Sequence, residues 1–174
     1  MIKKEARKIA LANRKLYNVD LISNKIVEDL YISKVLDKYD NIGIYYPIGK
    51  EINIMGIMNK YPNKNFYLPI TKEEIAFVKY NSFDILYDGL FNTKEPKGEI
   101  INRDLIDCFI IPCVAISKDG KRLGYGKGYY DRYLLGYKGY KIGICYIDES
   151  NLDINMDEFD VIINKKIVGW IYYD

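Results

Sequence analysis

From Cys108 to Ile116 every side chain is apolar, and Pro112 sits in the middle of the run. The stretch is far short of the roughly 20 residues that a membrane span needs. A short apolar run of this kind reads as a buried strand. Asp107–Ile111 is the strongest strand in the chain, with Val114–Ser117 continuing beyond the proline. Further strands are expected at Asn41–Tyr46, stopped by Pro47 and Gly49, and at Phe66–Leu68, Lys141–Tyr146, Val161–Asn164 and Ile167–Tyr172. Glu74–Tyr80 and Phe83–Tyr87 read as a hairpin or an excursion over the sheet, and Asn92–Asn102 as polar loop.

Helical spacing marks residues 2–17, with Ile2, Ala6, Ile9 and Leu16 near one apolar face and Lys3, Arg7 and Arg14 in a cationic stripe. A second helix is capped by Asp20 and runs to about Asp37, with Ile26, Val27, Leu30, Tyr31 and Val35 at apolar positions. Ile52–Lys60 and Tyr129–Leu135 are shorter helices. Strands alternating with helices predict an α/β layered domain with a mainly parallel sheet. At 174 residues the chain is expected to form one domain, residues 1–174. With 49% apolar and 29% charged residues it has the balance of a soluble globular protein.

Histidine is absent, so a Ser-His-Asp triad, a Cys-His dyad and a His-ligated metal are excluded. Acid, base and nucleophilic work falls to Asp, Glu, Lys, Tyr or Cys. Cys108, Cys113 and Cys145 form no CxxC pair, and buried inert thiols in a reduced, cytoplasmic compartment are expected. No apolar segment follows the basic N-terminus, so no signal peptide is expected. The net charge of +2 implies no polyanionic partner.

Charge is uneven along the chain. Residues 1–18 carry Lys3, Lys4, Arg7, Lys8, Arg14 and Lys15 against Glu5 alone. Residues 147–160 carry Asp148, Glu149, Asp153, Asp157, Glu158 and Asp160 and no basic residue. Across a cleft, one segment can hold an anion and the other a metal ion. Charge by itself favours two solvated faces of opposite sign.

The strongest local signal is Gly124-Tyr125-Gly126-Lys127-Gly128, followed by Tyr129-Tyr130-Asp131-Arg132-Tyr133. Alternate glycines free the backbone so that successive N–H groups can converge on a phosphate. Lys127 adds a mobile positive charge, and Asp131 can approach a phosphate-bridging magnesium ion. The loop is neither GxxxxGK[ST] nor GxGxxG, and a sharp strand-to-helix connection would have the same spacing. Tyr130, Tyr133, Leu134 and Tyr137 share one helical face and read as core. Tyr129, at the loop mouth, can stack on a planar ring.

The whole run Asp119–Leu134 closely resembles the signature of 5-formyltetrahydrofolate cyclo-ligases, also called methenyltetrahydrofolate synthetases. Lys3-Lys4-Glu5-Ala6-Arg7 resembles the opening basic helix of that family, Asn41–Glu51 its first strand and substrate loop, and Leu105–Pro112 the strand ahead of the signature. The resemblance implies a three-layer α/β/α fold with a mainly parallel sheet, like that of sugar-phosphate isomerases and CoA transferases. It implies conversion of 5-formyltetrahydrofolate, polyglutamated forms included, to 5,10-methenyltetrahydrofolate, with ATP as co-substrate, Mg2+ as cofactor, and release of ADP and phosphate. It further implies that Lys3, Lys4, Arg7 and Gly124, Tyr125, Gly126, Lys127, Gly128, Tyr129 and Tyr130 bind ATP. Lys127, Arg122 and Tyr130 would be catalytic, Tyr46, Glu51 and Tyr129 would bind folate, and Asp131 and Asp157 would hold the metal. A monomer is expected, with neither nucleic acid nor membrane as partner.

The chain departs from the family pattern at Cys113, usually glycine, at Ile116-Ser117, often an aromatic-aspartate pair, at Met156-Asp157, usually His-Asp, and at Asn164, usually threonine. Asp160 is therefore an alternative to Asp157. The rival readings are a phosphosugar isomerase or another ATP enzyme on the same fold, or a non-catalytic nucleotide- or RNA-binding module.

Overall fold

The computed structural model describes residues 1–174. Two helices open the chain, α1 (Lys3–Arg14) and α2 (Val19–Ile32). Then come β1 (Asn41–Gly43), α3 (Ile57–Lys60), β2 (Asn65–Thr71) and β3 (Ile75–Tyr80). A small hairpin, β4 (Tyr87–Asp88) with β5 (Lys94–Glu95), precedes the central strand β6 (Cys108–Pro112). A second ribbon, β7 (Ala115–Ile116) with β8 (Arg122–Leu123), leads to α4 (Tyr129–Tyr133), β9 (Tyr140–Tyr146) and β10 (Lys165–Gly169).

Six strands form one sheet in the order β10-β9-β6-β1-β2-β3. All neighbours are parallel except β2 and β3. The apolar run Cys108–Ile116 supplies the buried strand β6, near the middle of the sheet, and then β7. Its alternate residues divide between two cores. Cys108 and Ile110 pack with Ile22, Ile26 and Leu30 of α2, while Phe109 and Ile111 pack with Phe77, Leu134 and Tyr137. The result is α/β/α layering with a mainly parallel sheet, although α4 is only a short helix over the second face. No helix is long and apolar enough to cross a membrane.

β1 and β6 approach closely because residue 43 has no side chain. A Cβ there would lie 2.3 Å from the Phe109 ring. Phe109 is fully buried and has nowhere to move. Gly43→Ala should therefore destabilise the fold by roughly 2 kcal/mol through overpacking, measured by denaturant unfolding; an unchanged midpoint would show that the ring can yield.

Several boundaries differ from expectation. The buried face of α1 is Ala6, Ala10 and Arg14, while Ile2, Ile9 and Leu16 are exposed. The small side chains let α1 sit flat against Val114, Ala115 and Leu123. Asn18, not Asp20, caps α2, its side chain accepting from Leu21 N at 3.1 Å. That helix stops at Ile32 because Lys34 adopts a left-handed conformation (φ 59°). Helix α3 keeps only the end of Ile52–Lys60. The hairpin partner of β3 is β2, and Phe83–Tyr87 does not pair with it. Val161–Asn164 forms no strand. It meets the residue before β8 through an isolated bridge, Lys121 to Ile162, and the Asn164 side chain accepts from Lys141 N where the chain enters the sheet.

The cysteines are buried and free, as expected. Burial pushes the Cys113 thiol up to about 11, which suits an inert side chain. The two charge blocks are neither separate solvated faces nor open walls. Lys3 bonds Asp157 and Asp160, and Arg14 bonds Glu149.

Candidate active site

Strand order reverses direction between β1 and β6. In open α/β sheets ligands bind in the crevice outside the carboxyl ends of the strands at such a point. Here that crevice is a cleft of about 390 Å3. Tyr45 and Tyr46 enter it from the end of β1, Pro112 from β6, Lys3 and Arg7 from α1, and the glycine-rich loop from beyond β8.

The loop is shaped by arginines. A Cβ at residue 124 would lie 2.5 Å from Arg122 Nη1, so only glycine lets the guanidinium lie under the chain. Gly126 takes φ +109°, a conformation that side chains rarely adopt, beside the Arg7 guanidinium. Arg7 Nε donates to Gly124 O at 2.7 Å and ties the loop to α1. On the outer side Arg132 donates to Lys127 O at 2.9 Å and forks onto Glu74. The α4 helix is shorter than the expected Tyr129–Leu135, so its aligned amides add little dipole.

Arg122 is buried, yet its side chain makes one hydrogen bond, from Nε to Pro112 O at 2.7 Å. Its guanidinium lies 4.6 Å from the centre of the Tyr130 ring and pairs with no carboxylate. An uncompensated buried cation is costly. Facing a cleft, it is a site for an anion. Burial pushes the Tyr130 phenol well above its usual range, which keeps it a proton-bearing donor. Tyr130 and Tyr129 line the cleft, so Tyr130 is not purely core, whereas Leu134 and Tyr137 are buried as expected.

Glu51 is buried in the lining of the same cleft, and Ile48 N donates to its Oε1 at 2.7 Å. Burial pushes this carboxyl up to about 7, against the pull of the backbone bond and of Arg14 and Arg122. It sits between its charged and neutral forms near neutral pH, a common property of functional carboxyls.

Two expected residues stand apart. Lys4 is exposed and lies off the cleft, because one residue along a helix turns the side chain about 100° away from the Lys3–Arg7 stripe. Asp157 is also outside the lining, with its side chain 57% exposed, whereas Asp160 lines the cleft. Asp131 lines it too and accepts from Val161 N at 3.1 Å through Oδ1. No three acidic or cysteine side chains converge into a metal cage. One or two carboxylates suit magnesium, which keeps waters and is completed by substrate phosphates. Both oxygens of Asp160 accept from Lys3 here, so the donor set fits a cation that arrives with a polyphosphate to which Lys3 can turn.

Sequence reasoning missed Phe91 and Thr93, which reach the cleft from between β4 and β5. Phe91 holds φ +58°, a rare conformation for a bulky side chain. Its ring lies 6.3 Å from that of Tyr129 and 5.8 Å from Lys127 Nζ. Only an apolar residue inside a polar stretch could have signalled it.

A cleft that brings cations, a buried carboxylate and aromatic rings together defines an α/β enzyme for an anionic, partly planar ligand. A model of the 5-formyltetrahydrofolate cyclo-ligase family matches residues 2–168, and the chain belongs to that family of enzymes. The 5-formyltetrahydrofolate cyclo-ligase of Mycoplasma genitalium is 41% identical over 127 residues, which span 69% of this chain and 67% of that one. The 5,10-methenyltetrahydrofolate synthetase structure from Aquifex aeolicus superposes with a TM-score of 0.84 at 30% identity, covering 97% of this chain and 90% of that one. That from Mycoplasma pneumoniae gives 0.77 at 29% identity, covering 96% and 98%.

Proposed function

We propose that this chain, acting as a single domain, converts 5-formyltetrahydrofolate to 5,10-methenyltetrahydrofolate at the expense of ATP. The observation that carries the reading is the unpaired buried Arg122, which shares one cleft with Lys127 and Glu51. Phosphoryl transfer needs alignment and charge neutralisation more than a protein nucleophile, so the absence of histidine is no obstacle. Lys3, Arg7 and the loop Gly124–Tyr130 hold the ATP phosphates. Lys127 and Arg122 stand at the transferred group. Tyr46, Glu51 and Tyr129 hold the folate, with the Glu51 carboxylate accepting from pterin N–H groups.

The formyl oxygen attacks the γ-phosphorus, and ADP leaves. N10 then attacks the activated formyl carbon. Phosphate departs with the formyl oxygen, and the N10 proton is released. Tyr130 donates a hydrogen bond to the bridging oxygen as the C–O bond breaks, while Arg122 offsets the charge that builds on the departing phosphate. Asp131 with Asp160 would hold magnesium, which neutralises phosphate charge when bound.

Release of ADP should require 5-formyltetrahydrofolate. Release without it, or with a sugar phosphate in its place, would overturn the reading. Glu51→Gln should raise the KM for folate roughly tenfold, by loss of charge-assisted hydrogen bonds, and leave the KM for ATP unchanged. In the native protein kcat/KM for folate should climb as pH rises through about 7, where Glu51 loses its proton and becomes the better acceptor. The Gln variant should lack that limb of the profile. Equal weakening of both substrates would mean that Glu51 shapes the cleft and does not touch folate.

A further inference from the structure

We propose that the buried Arg14–Glu149 pair positions both cation-bearing elements of the cleft, the glycine-rich loop and α1, a role that rests on the reading of the site given above. Arg14 is 3% exposed and Glu149 1%. Arg14 Nε and Nη2 donate to the two carboxylate oxygens, each at 2.9 Å. Nη2 also donates to Cys113 O at 2.7 Å and to Val114 O at 3.4 Å. Glu149 is fixed in turn by Tyr146 N, at 3.2 Å.

Pro112 O is held by Arg122, so guanidinium groups hold three successive carbonyls after β6. Val114 N then donates to Leu123 O, one residue before the glycine-rich loop begins. The position of the loop therefore follows from that of residues 112–114. The other element, α1, is set by the same side chain. Arg14 lies on the buried face of α1, and its grip fixes the rotation of the helix that presents Lys3 and Arg7 to the cleft.

Arg14 is paired with Glu149 and lies outside the cleft lining, whereas Arg122 lines the cleft and has no ion-pair partner. A buried ion pair is often replaceable by apolar side chains without loss of stability. What apolar residues cannot do is hold the carbonyls of residues 113 and 114. Lysine cannot do so either while it serves Glu149, because it lacks the planar fork.

The test compares Arg14→Lys and the double variant Arg14→Met/Glu149→Met with the native protein and with Ile57→Val. Ile57 is a buried core residue outside the cleft. Two quantities are read: kcat with 5-formyltetrahydrofolate and Mg-ATP, and hydrogen exchange at amides 113–128. Arg14→Lys should lose about tenfold or more in kcat, the scale of a misplaced reacting group. Its exchange should quicken in that segment alone. The double variant should be impaired at least as much. Wild-type kcat in the double variant, exchange that rises uniformly, or a kcat loss no greater than that of Ile57→Val would overturn the proposal. Should the native protein form no methenyltetrahydrofolate, the functional reading fails, and the exchange pattern still decides whether the pair positions the loop.

Discussion

Arg122→Met should reduce turnover about a hundredfold or more while leaving the melting temperature almost unchanged. The two effects separate because of how Arg122 is buried. It forms no ion pair, so its replacement breaks none, and the one buried carboxyl it influences, Glu51, is held mainly by its own bond from Ile48 N. The fold loses one hydrogen bond to Pro112 O, a loss of about 1 kcal/mol, and is relieved of a desolvated cation. These terms oppose each other. A residue kept for packing would show the reverse, a lower melting temperature with activity falling only as the folded fraction falls. Initial rates and thermal unfolding on the same preparation distinguish the two. Loss of activity at unchanged stability is the pattern of a site that gives up stability for function.

Lys127→Ala should lower turnover about a thousandfold, the scale at which one cation counts in phosphoryl transfer. Lys127 is exposed, and its ammonium makes no hydrogen bond within the protein. Stability should therefore not change. The loop itself should also keep its shape, since its backbone is held by Arg7 at Gly124 O and by Arg132 at Lys127 O. Lys127→Arg should recover part of the rate, because charge returns on a differently shaped group. Rates at saturating ATP, with the KM for ATP, decide the matter. Unchanged turnover would remove Lys127 from the chemistry.

The parts of this protein that read clearly from sequence are those set by local chemistry. An all-apolar run had to be a covered strand, and β6 is one. Glycines at alternate positions read as a phosphate-holding loop or a sharp strand-to-helix connection, and the loop lines the cleft. The family resemblance brought together residues distant in sequence, such as Lys3, Glu51 and Lys127, which spacing alone could not do.

What was hidden depended on tertiary contacts. Ile9 and Leu16 look like a helix's apolar face, but α1 packs through Ala6 and Ala10 because the β7–β8 ribbon comes close. Lys4 looks equivalent to Lys3 until the helix rotation is fixed by Arg14. Asp157 and Asp160 read as interchangeable, and only the fold directs Asp160 into the cleft. Arg14 itself looked like part of a solvated stripe, and its partner Glu149 lies in a distant acidic block. Phe91 is placed by a hairpin of two-residue strands, too short to leave a periodic signal.

The most direct test of the cyclo-ligase reading is spectroscopic. Purified protein is mixed with Mg-ATP and 5-formyltetrahydrofolate, and the near-ultraviolet band of methenyltetrahydrofolate is followed, with controls lacking ATP or magnesium. The expected result is a band that grows only when both are present. No band from folded protein that binds ATP would contradict the reading and assign the same cleft to a different second substrate.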